Sequence, residues 1–367
     1  MVAGVHLAEA LQGAQEEAGA PDAAVETLTS LLADQPQFFR GQVQLAELYE
    51  HQRRWPQAAA AWAKVQSINP RNTEVATRRA SALVNAGKAA EATARALQAA
   101  HPEDVRPAYL LAQMLDARGR YQDVVDLLKP EIARQKAAKT RGPEIAMLLG
   151  SQGLALQQLR RYDEALAVFK EGIDLAPDEP VRHVLLIQGY SAAGRHKDAL
   201  ETAEKARAKF PEDTTVLYQL GAALDRANRR PEAEKVLRDL IARDPLDSGA
   251  LNYLGYMLAE HGLALDEAVG FIQRALTLEP GNPSFLDSLG WAYVQQGKLD
   301  LADPPLSTAA EKLPKNSVIQ DHLGDLRQKQ NRPAEAVAAW QKALAGDGDA
   351  LDRAKVQKKI EAAKKVR

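Results

Sequence analysis

Small residues recur along the chain about 34 positions apart, at Ala24, Ala58, Ala92, Val124, Ala165, Ala199, Ala233, Ala268, Ala302 and Ala336. Around these rungs, larger apolar residues such as Leu45, Tyr49, Trp62, Leu156, Phe169, Leu220, Leu224, Leu237, Leu254, Leu289, Leu323 and Trp340 fall at i, i+3, i+4 and i+7. That spacing places apolar groups on one face of an α-helix. Twelve residues after the rung stand Pro36, Pro70, Pro177, Pro211, Pro245, Pro280 and Pro314. Proline lacks an amide donor and turns the preceding residue away from helix, so each of these closes a helix. Five residues before the rung come Gly19, Gly87, Gly119, Gly194 and Gly297, where a tight turn needs a permissive backbone. Twelve before it, Gly153, Gly221, Gly255, Gly290 and Gly324 alternate with Ala46, Ala80 and Ala112. A small residue there, facing the rung, lets two helices approach closely. The pattern predicts an all-α chain made by stacking one helix-turn-helix unit about ten times, a solenoid rather than a globule around one centre.

Two departures from the period carry predictions of their own. The step from the anchor at Ala112 to the anchor at Gly153 is 41 residues and contains Pro130. The helix there is expected to kink, run long and stop at Gly142-Pro143. Pro304 and Pro305 follow the Ala302 rung directly, and the expectation is that Asp303 caps a late-starting helix with Pro304 at its first position. The array divides accordingly into residues 5–142 with about four units and 143–348 with about six, followed by a basic helix over 349–367. That last helix carries Val356, Ile360 and Ala363 on one side and reads as a cap.

Two stretches carry a family likeness: LNYLGYMLAEHGLALDEAVGFIQRALTLEP, from Leu251 to Pro280, and SLGWAYVQQGKLDLADPPLSTAAEKLP, from Ser288 to Pro314. They resemble tetratricopeptide repeats, with a Leu-Gly pair, an aromatic, a turn glycine, the alanine rung and a terminal proline. The resemblance covers about residues 5 to 348 and extends to bacterial multi-repeat proteins of the scaffold and lipoprotein type. It implies a right-handed α-solenoid whose first helices line an inner, concave groove, and a role in binding other proteins.

Composition removes several function classes. Lys and Arg number 47 against 49 Asp and Glu, a formal charge of -2, so no global polycation suggests nucleic acid. Cysteine is absent, which excludes disulfides, thiolate metal sites and a cysteine nucleophile. Histidines stand at His6, His51, His101, His183, His196, His261 and His322, none in an HExxH arrangement; they read as scattered polar residues. No phosphate-binding glycine motif occurs, and the repeats leave little of the roughly 100 residues a catalytic domain needs. The chain is expected to be no enzyme and to need no cofactor, metal or small-molecule substrate. No apolar run has the length of a membrane span, and Met1 to Leu11 is broken by His6 and Glu9. With Met1 as the native start the chain reads as cytoplasmic; with a leader removed it reads as periplasmic or outer-membrane-associated.

The resemblance places groove positions six and three residues before each small anchor and one, four and five after it. This register selects the acidic residues Glu9, Glu16, Glu17, Glu47, Glu50, Glu74, Asp116, Asp225, Glu260, Asp287, Asp321 and Asp325, against the basic Arg40, Arg106, Arg226 and Lys329. An acid-rich groove would steer in a basic segment and repel an anionic one; the plainer alternative is ordinary solvated charge of accidental bias. Tyr218, Tyr256 and Trp291 fall on successive units beside Asn252 and Asp287. Exposed aromatics are efficient anchors for a partner, so Tyr218, Asp225, Asn252, Tyr256, Asp287, Trp291, Asp321 and Asp325 form the candidate partner-binding set. The alternative reading packs Tyr256 and Trp291 between adjacent helices as core, as is expected of Trp62 and Trp340.

The carboxylate clamp of chaperone-binding family members would need lysines and asparagines, but its positions hold Val43, Glu47, Tyr218, Ala222, Asn252, Tyr256, Asp287 and Trp291. The expected partner is a protein or peptide, basic or aromatic-containing, with self-association or membership of a larger complex also open. A second function class is an adaptor that touches membrane or nucleic acid through a basic convex face and the last helix, which carries Arg353, Lys355, Lys358, Lys359, Lys364, Lys365 and Arg367.

Overall fold

The computed structural model describes residues 21–69, 72–85, 91, 94–95, 98–99, 101–347 and 351–365. Gly19, Pro70, Gly87, Ala92, Glu9, Glu16, Glu17 and the first unit before Pro21 lie outside the described residues. Among the described residues there are nineteen α-helices, and the chain forms two compact units that divide at Arg195 and His196. The first holds α1 (Pro21–Asp34), α2 (Phe39–His51), α3 (Trp55–Ile68), α4 (Thr73–Asn85), α5 (Arg106–Asp116), α6 (Tyr121–Ala137), α7 (Gly142–Gln158), α8 (Tyr162–Leu175) and α9 (Pro180–Ala192). The second holds α10 (His196–Lys209), α11 (Thr214–Arg226), α12 (Arg230–Arg243), α13 (Ser248–Glu260), α14 (Leu265–Leu278), α15 (Pro283–Gln295), α16 (Leu299–Lys312), α17 (Ser317–Lys329), α18 (Pro333–Ala345) and α19 (Arg353–Lys365). The count fits about ten tandem units.

The alanine ladder is the seam of this architecture. Every described rung, from Ala24 to Ala336, is only 0–1% exposed. The small anchors do not face the rung side chain itself. A Cβ built on Gly153, Gly221, Gly255, Gly290 or Gly324 would come within 2.3 to 2.8 Å of Phe169, Leu237, Ile272, Leu306 or Trp340. Each of those stands one helical turn past the rung. The pair is therefore a large residue seated over a small one across the hairpin, and side-chain volume is exchanged between helices at constant packing density.

Local signals set each helix. In α11, α13, α15 and α17 the cap residues Asp213, Asp247, Asn282 and Asn316 accept hydrogen bonds from the first backbone amides, satisfying donors that a helix leaves free. Each cap follows two residues after the closing proline, so one short connection both stops and starts a helix. Among the described residues, the turns inside the hairpins use the left-handed region whether or not glycine is present: Gly119, Gly194 and Gly297 have φ of 68°, 70° and 74°, and Arg53, Arg160, Asn228 and Asn331 have φ of 54° to 59°.

Both departures are resolved differently from expectation. Helix α6 carries Pro130 inside it and runs to 17 residues, as its length predicts, but it ends at Ala137 with Lys139 at φ 57°. Gly142 and Pro143 open α7 instead, because proline suits a first turn where its missing amide is not needed. Helices α6 and α7 are 17 residues each, against 14 and 13 for the corresponding α12 and α11, which accounts for the long step. Helix α16 starts at Leu299, with Pro304 and Pro305 in its interior, so Asp303 is no cap. Burial of Ala302, whose amide bonds Lys298, commits the helix to start early. The carbonyls the two prolines free belong to Asp300 and Leu301, both exposed to water.

Candidate functional site

The eight candidate residues sit on α11, α13, α15 and α17, all in the second unit. Asp225 on α11 accepts from the Tyr253 hydroxyl at 3.2 Å and lies 3.3 Å from His261 Nε2. Tyr218 meets Tyr253 edge-on, with ring centroids 5.6 Å apart. One helix further, Glu260 on α13 accepts from the Trp291 indole at 2.7 Å. Trp291 stacks flat on His322 of α17, centroids 4.2 Å apart and planes 13° apart, and the Tyr256 ring lies 6.3 Å from the same imidazole. His322 Nδ1 stands 3.0 Å from both oxygens of Asp287. Asp321 and Asp325 on α17 hold the ammonium of Lys359 from α19 at 2.7 to 2.9 Å. Asn252 keeps its Oδ1 buried without a hydrogen-bond partner.

Charge follows from this geometry. Burial works against a charged His322, but the carboxylates of Asp287, Glu260 and Asp321 outweigh it and hold the imidazole pKa above its ordinary value. Burial raises the Asp321 carboxyl, partly offset by Lys359. Burial likewise raises the phenols of Tyr218, Tyr253 and Tyr256, helped by Asp247, Asp225 and Glu260 in turn. All three tyrosines stay neutral hydrogen-bonding groups with partly buried rings.

Two expectations need correction. Trp291 is not an exposed anchor: it is 9% exposed and packs with Val294, Ala302, Leu306 and Leu326, as the core alternative held. The stack on His322 and the bond to Glu260 spend both its face and its N–H inside the protein. The carboxylates are also not a bare acidic stripe. Glu47 and Glu50 pair with Arg78 at 3.2 Å, and in the second unit each named carboxylate meets a donor of a later helix. Long-range steering by this face is weakened to that extent.

The partners Arg78, Tyr253 and His322 were missed, yet all three stand two residues before their small anchors Ala80, Gly255 and Gly324. A donor at that position is the signal that was available. Trp62 and Trp340 are core, each 2% exposed.

Elsewhere, the first unit has a cavity of about 490 Å³ lined by Arg95, Arg120, Asp126, Glu131 and Arg134. Its charges are paired, Glu131 with Arg134 inside the lining, and Arg95 and Arg120 with Glu91 outside it. Among the described residues no group of three or more His, Cys, Asp or Glu could hold a metal ion, and no helix is long and apolar enough to cross a membrane.

Comparison with known proteins agrees with the repeat register. Family models described as tetratricopeptide repeat match residues 14–72, 124–180 and 190–254. A TPR repeat-containing protein of Pseudomonas aeruginosa is 33% identical over 166 residues, 45% of this chain; the match spans 28% of that relative's length. In structure, the chain is similar to a tetratricopeptide repeat protein from Parabacteroides merdae, with a TM-score of 0.57 and 14% identity over 71% of this chain and 98% of that one. This last likeness bears on fold alone. Rungs, anchors, caps and sequence matches agree: the chain is a tetratricopeptide repeat protein.

Proposed function

We propose that the chain is a non-enzymatic interaction scaffold, and that the first-helix face of its second unit receives a segment of a partner protein. The observation that carries this reading is the run of aromatic and polar side chains across four successive first helices, from Tyr218 to Asp325, tied together by bonds between helices. A surface already ordered loses little conformational entropy on binding. Partly buried tyrosines offer area and a hydroxyl, and the half-buried Asn252 lies between them in sequence. The favoured partner is a protein or peptide segment with aromatic or basic side chains, docked on Tyr218, Asn252 and Tyr256, with Trp291 as the floor rather than the anchor.

The membrane variant of the adaptor reading loses its apolar element, because Val356, Ile360 and Ala363 are spent on α18. A flat binding response between low and moderate salt would remove what is left of it.

The test is photo-crosslinking from position 218 or 256 against a control at the exposed Lys235 on α12. The reading expects one protein captured at both face positions and not at 235. Purified, that protein should bind the intact chain and lose affinity at least about tenfold with Tyr218→Ala. Equal capture at all three positions, or unchanged affinity, would overturn it.

A further inference from the structure

Trp340 on α18 gives its indole N–H to Asp325 at 3.1 Å, and the ammonium of Lys359 stands 5.8 Å from its ring centroid. Asp321 and Asp325 close on that ammonium from the other side, so its three protons face two carboxylates and a π-face. Val356, Ile360 and Ala363 of α19 complete the seat by burying against Ala336 and Trp340. Lys359 itself is only partly exposed.

The same device occurs in the first unit. Trp62 gives its N–H to Glu50 at 2.8 Å, and Arg78 of α4 pairs with Glu47 and Glu50 while its guanidinium stands 5.2 Å from the Trp62 ring. There the cation arrives on a repeat helix, TEVATRRASALVN; at Trp340 it arrives on the last helix, RAKVQKKIEAAKK. What the two occupants share is a cation on an amphipathic helix. They share its setting as well: a valine three before the cation and an alanine four after it, Val75 and Ala82 about Arg78 and Val356 and Ala363 about Lys359, are buried beside each box.

We propose that Asp321, Asp325 and Trp340 form a binding site for a lysine-bearing amphipathic helix, closed in cis by α19. The outside occupant is a partner helix of α19's own pattern: an aliphatic residue three before the lysine, another directly after it and a small residue four after it. A loosely basic peptide would bring the cation without filling the apolar floor. An apolar helix without the lysine would leave two partly buried carboxylates unpaired, which is costly. Tethering holds α19 at an effective concentration on the order of millimolar, so the closed state is the resting one. The site deepens the scaffold reading but uses other residues than Tyr218 and Tyr256, so either can fail without the other.

The probe is a fluorescent peptide of residues 351–365, added to the full chain and to a full-chain variant opened by Lys359→Glu with Ile360→Ser, which leaves Asp321, Asp325, Ala336 and Trp340 unchanged. The peptide should bind the opened chain about tenfold or more tighter than the unaltered chain. A peptide carrying Lys359→Glu should not bind, and Asp321→Asn with Asp325→Asn in the opened chain should abolish binding. Should the opened variant fail to fold, the unaltered chain labelled with nitrogen-15 is titrated with unlabelled peptide, and the signals of its own α19 should move to those of a released helix. No binding to the opened chain, equal binding of both peptides, or α19 signals unmoved at millimolar peptide would overturn the proposal.

Discussion

Trp62 and Trp291 both give an indole N–H to a glutamate, at 2.8 and 2.7 Å, yet they answer to different chemistry. Trp62 is a second-helix residue over the small anchor Ala46, and the group against its ring is the guanidinium of Arg78. Trp291 is a first-helix residue beside the small anchor Gly290, and the group against its ring is the imidazole of His322. An arginine keeps its charge at every accessible pH, whereas a histidine does not. In both sites the ring partner stands two positions before a small anchor, and the residue type there decides whether that partner carries a fixed charge or a titratable one.

The strongest test of this contrast is truncation. Trp62→Ala and Trp291→Ala should each destabilise their own unit by about 3–5 kcal/mol, read by urea unfolding; a cost below about 1 kcal/mol for Trp291→Ala would return that residue to the surface. Next is the anchor. Ala46 already carries a Cβ, but one added at Gly290 would stand 2.4 Å from Leu306, so Gly290→Ala should cost about 1–3 kcal/mol by overpacking. If it is neutral, the anchors do not set hairpin spacing.

The pH test comes third. His322 has a folded pKa raised above its unfolded value, so its stabilisation is fully present below about pH 6.5 and is lost as pH rises through the folded pKa. The melting temperature of the second unit should fall across that window, and His322→Gln should flatten the fall. An unchanged profile in the variant would assign the pH response elsewhere. The smallest effect belongs to Arg78→Ala, whose side chain is 38% exposed; about 1 kcal/mol or less is expected, and the loss should shrink with added salt.

The fold was legible because the strongest constraint on it is also periodic. A rung buried between helices must be small, and nine of the ten are alanine with Val124 the exception, so the ladder repeats visibly. Helix ends were legible only where the chain used proline or glycine. Arg53 and Arg160 adopt the same left-handed turn as Gly119 because tertiary packing outweighs the local strain, and no composition signal marks them. Asp303 was misjudged because its local neighbours suggest a cap, while its partners Ser307, Arg327 and Gln330 lie 4, 24 and 27 residues away. These contacts hold its carboxyl well below the usual carboxylate range, with Arg327 the largest cause. The acidic side chains of the candidate face were found by register; their hydrogen-bonding partners were not, since Tyr253, His261, His322 and Lys359 share no residue type. What that face binds is a matter of exposed chemistry rather than stacking, and stacking is what the period encodes.

The carboxylate contacts Asp225 to His261, Glu260 to Trp291, Asp287 to His322 and Asp321 to Lys359 reach 36, 31, 35 and 38 residues along the chain. Contacts of such short reach favour rapid folding, and at a synthesis rate of about 5–20 residues per second each one becomes available within seconds of its acceptor leaving the ribosome. A nascent chain can thus finish one storey before the next is made. Among these contacts, the pair awaiting Lys359 is the last to be satisfied, and until then two carboxylates and an indole stand open to whatever cation-bearing helix is nearby.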